Sequence, residues 1–263
     1  MTLVKAHALG NDFLLMESTA LPEGRPPAGF ARAVCDRHRG IGADGLILYD
    51  TRPGQTAMRL LNADGSPSEI SGNGVRCLAA LLARSTGVAP GGSIDIETDA
   101  GMKRLHLLSA EPPRYSFRAS MGQPEQIARV ALTVAGSLVE VVTLRVGNPQ
   151  CVVLGEATES RLHSVAAALA VHPHFPHGTN VELAEIVSAG HVRILIWERG
   201  VGPTEASGTG ACAAAVAAIR FAGAPPDVEV HSPGGVQRVE WHDDGLFLTG
   251  WAELIGDVRL WKA

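Results

Sequence analysis

The sequence lacks the charge pattern and the long apolar runs that mark two broad classes of protein. Acidic and basic residues are interspersed, the formal net charge is −5, and no basic stripe occurs, so nucleic acid is not an expected partner. The longest run of small apolar residues, 211–219, stops at Arg220 and is far too short to cross a bilayer. We therefore expect no membrane association.

Cysteine is scarce and its spacing is uninformative. The four cysteines form no Cys-x-x-Cys pair and no metal-binding pattern, so no metal is predicted. The start, MTLVKAHALGNDF, has no basic segment followed by a long apolar one, which argues against a secretory signal. We therefore expect reduced, buried thiols in a cytoplasmic protein. The histidines of HPHFPH, residues 172–177, are interrupted by proline and are interpreted as a solvated loop.

What the sequence does contain is an internal repeat. A Ser-Gly-x-Gly turn leading into an apolar helix occurs twice, and strands ending in a polar residue or beginning near Gly-Asn precede it both times. The matched pairs, all separated by about half the chain, are Ser71 and Ser207, Asn62 and Glu198, and Asn11 and Asn148. Three elements in one order at nearly constant spacing predict two copies of one supersecondary unit.

Each copy reads as alternating strands around one long apolar helix. The predicted central helices, 75–83 and 211–222, lack a polar face, so we expect them to be buried. Strand patterns outnumber helical ones. We predict an α+β fold of two pseudo-symmetric lobes, each a mostly antiparallel sheet wrapped around a central helix. The N-terminal lobe would span 1–120 and the C-terminal lobe 121–254, and we leave open that 255–263 completes the first lobe.

The two serine turns suggest chemistry on a small anionic ligand. Free N–H groups and the dipole at a helix start favour an anion, and glycine allows close approach of a ligand. Two such starts facing one ligand would place Ser71 and Ser207 on opposite faces of a carbon, as two-base proton transfer requires. The plainer interpretation is that each serine is a helix N-cap, which is a common role for this residue.

Seven segments resemble the diaminopimelate epimerase family, in the family's order and over nearly the whole chain. They are ALGNDF, DRHRGIGADGLI, NADGSPSEISGNGVRC, GNPQCVV, HGTNVE, WERGVGPTEASGTGAC and SPGG. The resemblance implies a two-lobed fold shared with proline racemases and a cofactor-independent isomerase. It also implies interconversion of LL- and meso-diaminopimelate, on the route to lysine and peptidoglycan, without pyridoxal phosphate.

Residue by residue, the resemblance implies a catalytic residue at positions 71 and 207 and a set of substrate-binding residues around them. The set is Asn11, Asn62, Asn148 and Asn180 for the distal amino acid end, Gly72, Asn73, Gly208 and Thr209 for the reacting carboxylate, and Glu198 and Arg199 for distal groups or for support of the site. The expected partner is a small amino acid substrate, and a homodimer is left open.

The sequence departs from the family at the catalytic positions themselves. The family has cysteine at both, whereas this chain has Ser71 and Ser207, and Gln150 replaces a family histidine. Cys77 and Cys212 lie well inside the helices and cannot replace the groups at the turns. A serine hydroxyl is a much weaker acid than a thiol and needs a neighbouring base, for which Glu198 is the evident residue.

Several interpretations therefore stay open at the level of sequence. The chain is an epimerase whose cysteines were deliberately replaced, a natural divergent member that uses serine, or a member that binds diaminopimelate or another amino acid without turnover. A serine form that racemises a different amino acid, or eliminates water or ammonia from a β-substituted one, is a further alternative.

Overall fold

A computed structural model describes residues 1–52, 55–68 and 71–261. The chain divides into two compact units, the first formed by Met1–Ala119 with Gly250–Ala263 and the second by Ser120–Thr249. Residues 262 and 263 of the predicted C-terminal segment lie outside the described residues. Among the helices of the described residues, none has the length and apolar character to span a bilayer.

The first unit is built from eight strands of the described chain, the last of which continues into the second unit. The strands are β1 (Thr2–Ala8), β2 (Asn11–Glu17), β3 (Gly45–Arg52), β4 (Gln55–Asn62), β5 (Pro67–Ser68), β6 (Ser93–Thr98), β7 (Gly101–Glu111) and β8 (Arg114–Gly122). Neighbouring strands pair antiparallel except for β2 with β3 and β4 with β6, which are parallel. Helices α1 (Pro27–Cys35) and α2 (Gly72–Thr86) form the crossovers between these parallel strands.

The second unit repeats this order. Its strands are β9 (Glu125–Val134), β10 (Ser137–Val146), β11 (Asn148–Leu154), β12 (Asn180–Ser188), β13 (His191–Glu198), β14 (Gly202–Thr204), β15 (Asp227–Ser232), β16 (Gly235–His242) and β17 (Gly245–Arg259), which continues into the first unit. The parallel pairs are β11 with β12 and β13 with β15, at the places equivalent to those in the first unit. The crossovers are a helical segment made of α3 (Glu159–Arg161), a π-helical turn (Leu162–Ala166) and α4 (Ala167–Ala170), and then α5 (Gly208–Ala222).

Matched caps define both central helices. Ser71 and Ser207 are the N-caps of α2 and α5, and both have extended backbone angles. Each helix ends at a glycine in the left-handed conformation, Gly87 at φ 70° and Gly223 at φ 71°. Both helices are 15 residues long and start three residues earlier than predicted, because the glycines after each serine already belong to the first turn.

Each central helix is enclosed by the apolar side of its own unit's strands. In α2 the residues from Asn73 to Ala83 are buried, and in α5 those from Gly210 to Ala218 are buried. The core around α5 is lined largely by alanine on the helix side and by valine, leucine and isoleucine from the strands. The predicted α+β class, with two similar units and a mostly antiparallel sheet around a central helix in each, is confirmed.

Candidate active site

The start of α2 gathers three of the predicted site residues of the first unit. The Ser71 hydroxyl oxygen accepts a hydrogen bond from the Gly74 N–H at 3.1 Å, which is the ordinary N-cap contact. Asn73, only 5% exposed, donates through its Nδ2 to Oδ1 of Asn11 at 3.3 Å and accepts a hydrogen bond from Arg76. The structure therefore brings Asn11 and Asn73 together beside the helix start.

Charged groups hold Asn11 from the other side. Its Nδ2 donates to Oδ2 of Asp44 at 2.7 Å, and Asp44 is ion-paired with Arg37 at 2.7 Å. Asn62, at the end of β4, is exposed and donates to Oγ of Ser66 at 3.0 Å rather than to Asn11 or Asn73. Gly72 is exposed at the first helical position, where its backbone N–H is accessible to a ligand.

The start of α5 repeats the cap but differs in its surroundings. The Ser207 oxygen accepts a hydrogen bond from the Gly210 N–H at 3.2 Å, and Oγ1 of Thr209 lies 3.5 Å from it. The Ser207 hydroxyl also lies beside the Glu198 carboxylate at the end of β13. Burial raises the pKa of Glu198 above its ordinary value, and the hydroxyls of Thr204 and Ser207 beside the carboxylate oppose that rise. Ser207 thus has a carboxylate base next to it.

Backbone contacts position the other predicted residues of the second unit. Oδ1 of Asn180 accepts from the Arg199 N–H at 2.9 Å, which ties the start of β12 to the turn after β13. The Arg199 guanidinium donates to the His177 carbonyl at 3.0 Å. Asn148 accepts from Nε2 of Gln150 at 2.6 Å, and Gln150 itself is 1% exposed. Gly208, at the first position of α5, is only partly buried.

A residue that the sequence did not single out lies beneath the first turn of α5. Glu182, on β12, is 0% exposed, and neither carboxyl oxygen accepts a hydrogen bond from another residue of the described chain. Burial raises the pKa of Glu182 well above its ordinary value, and Glu198 raises it further. The sequence NVELAEI could have indicated this position, because side chains alternate between the two faces of a strand and Glu182 therefore lies on the same face as Asn180 and Ala184. Burial and the neighbouring Glu198 both favour the protonated form of the Glu182 carboxyl group.

The described cysteines do not take the place of the two serines. Cys77 is 0% exposed inside α2, and burial raises the pKa of its thiol to about 12. Cys151, on β11 and likewise 0% exposed, has its pKa raised by burial and, to a smaller extent, by its proximity to Glu182. Both thiols are protonated at neutral pH, as expected for cysteines that only fill a core.

Solved structures establish the fold class of the chain. A phenazine biosynthesis protein of the PhzF family from Bacillus anthracis superposes with a TM-score of 0.73 at 13% identity, over 100% of this chain and 99% of that chain. A probable proline racemase from Agrobacterium radiobacter K84 superposes with a TM-score of 0.69 at 17% identity, over 98% of this chain and 92% of that chain. The fold is the two-unit fold of these proteins.

Sequence comparison then gives the family. The sequence model described as diaminopimelate epimerase matches residues 3–127 and 142–255. The diaminopimelate epimerase of Desulforudis audaxviator is 38% identical over 281 residues, covering 100% of both chains, and that of Microcystis aeruginosa is 37% identical with 95% of each chain covered. The chain belongs to the diaminopimelate epimerase family and is thus a member of a family of isomerases.

Proposed function

We propose that this protein interconverts LL- and meso-diaminopimelate by moving the α-proton at one stereocentre, in the synthesis of lysine and peptidoglycan precursors. Family membership over the whole chain supports the reaction class and the substrate. The observation that carries the proposal for this serine form is the Glu198 carboxylate beside the Ser207 hydroxyl. It supplies the base that a serine hydroxyl needs in order to accept a proton from carbon.

The proposed step conserves protons at each stage. Oγ of Ser207 takes the α-proton while its own hydroxyl proton passes to Glu198, and the electron pair of the broken C–H bond stays on the α-carbon. The Ser71 hydroxyl returns a proton to the other face of that carbon. Glu198 then releases the proton that it accepted to solvent, and solvent restores a proton to Ser71. The charge that develops beside the substrate carboxylate is stabilised by helix N-termini, which favour anions.

The proposed binding residues form two sets, one for the reacting carboxylate and one for the distal end of the substrate. The reacting carboxylate would accept hydrogen bonds from backbone N–H groups at the starts of α2 and α5, and the polar side chains would hold the distal amino acid end. The carboxylate set is Gly72, Asn73, Gly208 and Thr209; the distal set is Asn11, Asn62, Asn148 and Asn180, with Glu198 and Arg199 in support.

The second candidate function is binding without turnover. It is favoured by one observation: both serines already make the ordinary N-cap contact, at 3.1 and 3.2 Å, and within the described part of the chain no carboxylate hydrogen-bonds to Ser71. In that case the helix starts would hold an amino acid while no proton moves.

Incorporation of solvent deuterium at the α-carbon separates these functions. We expect slow incorporation into diaminopimelate by the wild-type chain and much faster incorporation by a Ser71→Cys/Ser207→Cys variant, because a thiol is the stronger acid. Binding of diaminopimelate with no incorporation would establish the second candidate. No incorporation by either form would refute the reaction for this pocket, and release of a keto acid would indicate elimination instead.

A further inference from the structure

The two serine turns are equivalent in backbone but not in what lies beneath them. A methyl group added at Gly74, the third residue of α2, would lie 3.1 Å from Cδ1 of Ile47 on β3. A methyl group added at Gly210, the third residue of α5, would lie 2.6 Å from Oε1 of Glu182 on β12. The same position in the repeat is thus filled by an apolar side chain in one unit and by a carboxyl group in the other.

Strand register supports this equivalence. Ile47 stands opposite Leu15 in the parallel pair of β2 with β3, and Glu182 stands opposite Val152 in the parallel pair of β11 with β12. An isoleucine satisfies such a buried position without any polar group. A carboxyl group there is expensive unless it is neutral or paired, so a purely structural role does not account for it.

Glu182 is also close to the reacting serine. The same point above Gly210 is 2.6 Å from Oε1 of Glu182 and 3.2 Å from Cβ of Ser207, so these two atoms are less than about 6 Å apart. Glu198 approaches Ser207 from β13, the strand that pairs with β12. Two carboxyl groups therefore lie near the Ser207 hydroxyl.

The carboxyl groups of Glu182 and Glu198 differ in their exposure to solvent. Glu182 is fully buried, whereas Glu198 is partly accessible, so the pair carries its negative charge on Glu198 and its proton on Glu182. The titratable groups on neighbouring strands that interact electrostatically with Glu182 include the Glu198 carboxyl group on β13 and the Cys151 thiol on β11. Among the described residues, no lysine, arginine or histidine contributes to the pKa of Glu182. Carboxyl pairs whose environments separate them in this way divide into an acid and a base.

We propose that Glu182 is the stored proton of the Ser207 site: Glu198 accepts the Ser207 proton when Ser207 acts as the base and returns it when that step runs backwards, and Glu182 resupplies Ser207 when Ser207 acts as the acid while Glu198 is ionised. The inference rests on the proposed epimerisation and deepens it. In this second case Ser207 gives its proton to carbon, the resulting alkoxide takes the proton of Glu182, and the pair regains a proton from water after product leaves; run backwards, the same step returns that proton to Glu182. Glu182 acts through Ser207 and never touches the substrate. Ser71 has Ile47 in the equivalent place and has no such store.

The test is the pH profile of α-deuterium incorporation. The wild-type profile is expected to be bell-shaped, with the acidic limb set by Glu198 and the alkaline limb by Glu182. Glu182→Gln should slow incorporation at least tenfold and remove the alkaline limb, while Glu182→Asp should restore that limb. Glu185→Gln, a change on the same strand at a side chain that is ion-paired with Arg193, is the matched control and should keep both limbs.

A second measurement does not depend on turnover. Unfolded chains ionise a glutamate above about pH 4.3, whereas the folded chain keeps Glu182 protonated, so folding stability falls as pH rises. As pH rises above about 4.3, the unfolding constant of the wild type should therefore rise relative to that of Glu182→Gln, because the pKa of Glu182 is raised in the folded chain. Equal pH slopes for the wild type and Glu182→Gln would contradict the proposed role of Glu182 as a proton store.

The outcomes distinguish a failure of the proposed reaction from a failure of the proposed role of Glu182. No incorporation by the wild-type chain refutes the proposed function, and the inference falls with it. Incorporation by the wild type with an unchanged alkaline limb in Glu182→Gln refutes only the role of Glu182.

A separate cluster on the second unit has the composition of a metal site. His191 at the start of β13 and Glu229 and His231 on β15 each offer one ligand atom, and these atoms lie within 4.8 Å of one another. Nε2 of His191 is 3.2 Å and Nε2 of His231 is 3.7 Å from Oε2 of Glu229. Ligand atoms about 2.0–2.1 Å from a tetrahedral zinc ion are roughly 3.3 Å apart, so the spacing fits with small side-chain adjustments.

Two further contacts point to a ligand rather than to chance. Nδ1 of His191 is 2.9 Å from Oγ of Ser188, which orients the ring and leaves Nε2 directed toward the cluster. Nε2 of His231 is buried and makes no hydrogen bond within the described chain. Sequence spacing does not show this cluster, because its members stand on two strands that are paired in parallel, with His191 opposite Glu229.

The geometry points to a zinc-binding site formed by His191, Glu229 and His231, with its fourth position open to water. His191 and Glu198 are the two ends of β13, seven residues or roughly 23 Å apart, so the ion would cross-link strands rather than take part in the reaction. Calorimetric titration of the untagged chain with Zn²⁺ should show one site and a metal-dependent rise in melting temperature.

The variant that tests this is His191→Gln/His231→Gln, which should weaken zinc binding at least tenfold and remove the rise. His172→Gln/His174→Gln, in the histidine loop, is the matched control and should leave both unchanged. Zinc binding that survives the first double variant, or that disappears in the second, would overturn the site.

Discussion

Alanine at the third position of each central helix gives a matched pair of perturbations. Gly74→Ala and Gly210→Ala insert the same methyl group at equivalent places, and the gain in helix propensity, at most about 1 kcal/mol, is the same for both. Their neighbours differ. At Gly74 the methyl group meets Cδ1 of Ile47 at 3.1 Å and Cβ of Ser71 at 3.4 Å, which small shifts relieve.

At Gly210 the contacts are closer and the neighbour has less room. The methyl group would lie 2.6 Å from Oε1 and 3.2 Å from Cδ of Glu182, and 3.2 Å from Cβ of Ser207. Because Glu182 is 0% exposed, its carboxyl group cannot swing into solvent and must move within the core. Overpacking of this kind typically destabilises by about 1–3 kcal/mol, which outweighs the propensity gain.

The assay is thermal unfolding followed by calorimetry. Gly74→Ala should stay within about 1 kcal/mol of the wild type, whereas Gly210→Ala should lower the melting temperature by about 3–8 °C. The Glu182→Ala background removes the obstructing group, so the effect of Gly210→Ala should shrink there. An equal effect in both backgrounds, or a Gly74→Ala effect as large as that of Gly210→Ala, would refute the assignment of Glu182 as the close neighbour.

Two more predictions follow from the caps and from the acidic network. Ser71→Ala and Ser207→Ala each remove one N-cap contact and should each destabilise by about 1 kcal/mol in denaturant unfolding. Ser207→Ala should also raise the pKa of Glu198 further, because the Ser207 hydroxyl lowers that pKa, so the stability of this variant should fall more with rising pH than that of Ser71→Ala. Equal pH profiles for the two variants would contradict the Glu198 contact. Burial alone would raise the pKa of Asp12, but Arg37 and Lys5 outweigh it and hold the pKa at about 2. The stability contributed by this depressed pKa is present above the ordinary value of about 3.9 and is lost as pH falls toward 2, so Asp12→Asn should destabilise by about 2 kcal/mol at pH 7 and by much less at pH 2. A difference between wild type and Asp12→Asn that is independent of pH would contradict this assignment.

Much of the architecture followed from local patterns. Serine caps, glycines at special backbone angles and apolar periodicity act within a few residues, which is why the repeat, the two central helices and the α+β class could be predicted and are confirmed. The roles of the predicted site residues stay predictions, as do a homodimer and a cytoplasmic location. The structure nevertheless shows which of those residues meet: Asn11 contacts Asn73, whereas Asn62 bonds to Ser66.

The sequence by itself determined that two equivalent serines open two equivalent helices, because capping and helix formation are encoded next to each other in the chain. Only the tertiary structure decided that the serines are unequal. The difference depends on which side chain a strand places beneath each helix, Ile47 in one unit and Glu182 in the other, and on how completely that side chain is removed from water. Desolvation and cross-strand neighbours come from residues distant in sequence, so neither the buried carboxyl group of Glu182 nor the cluster of His191, Glu229 and His231 is visible in spacing alone.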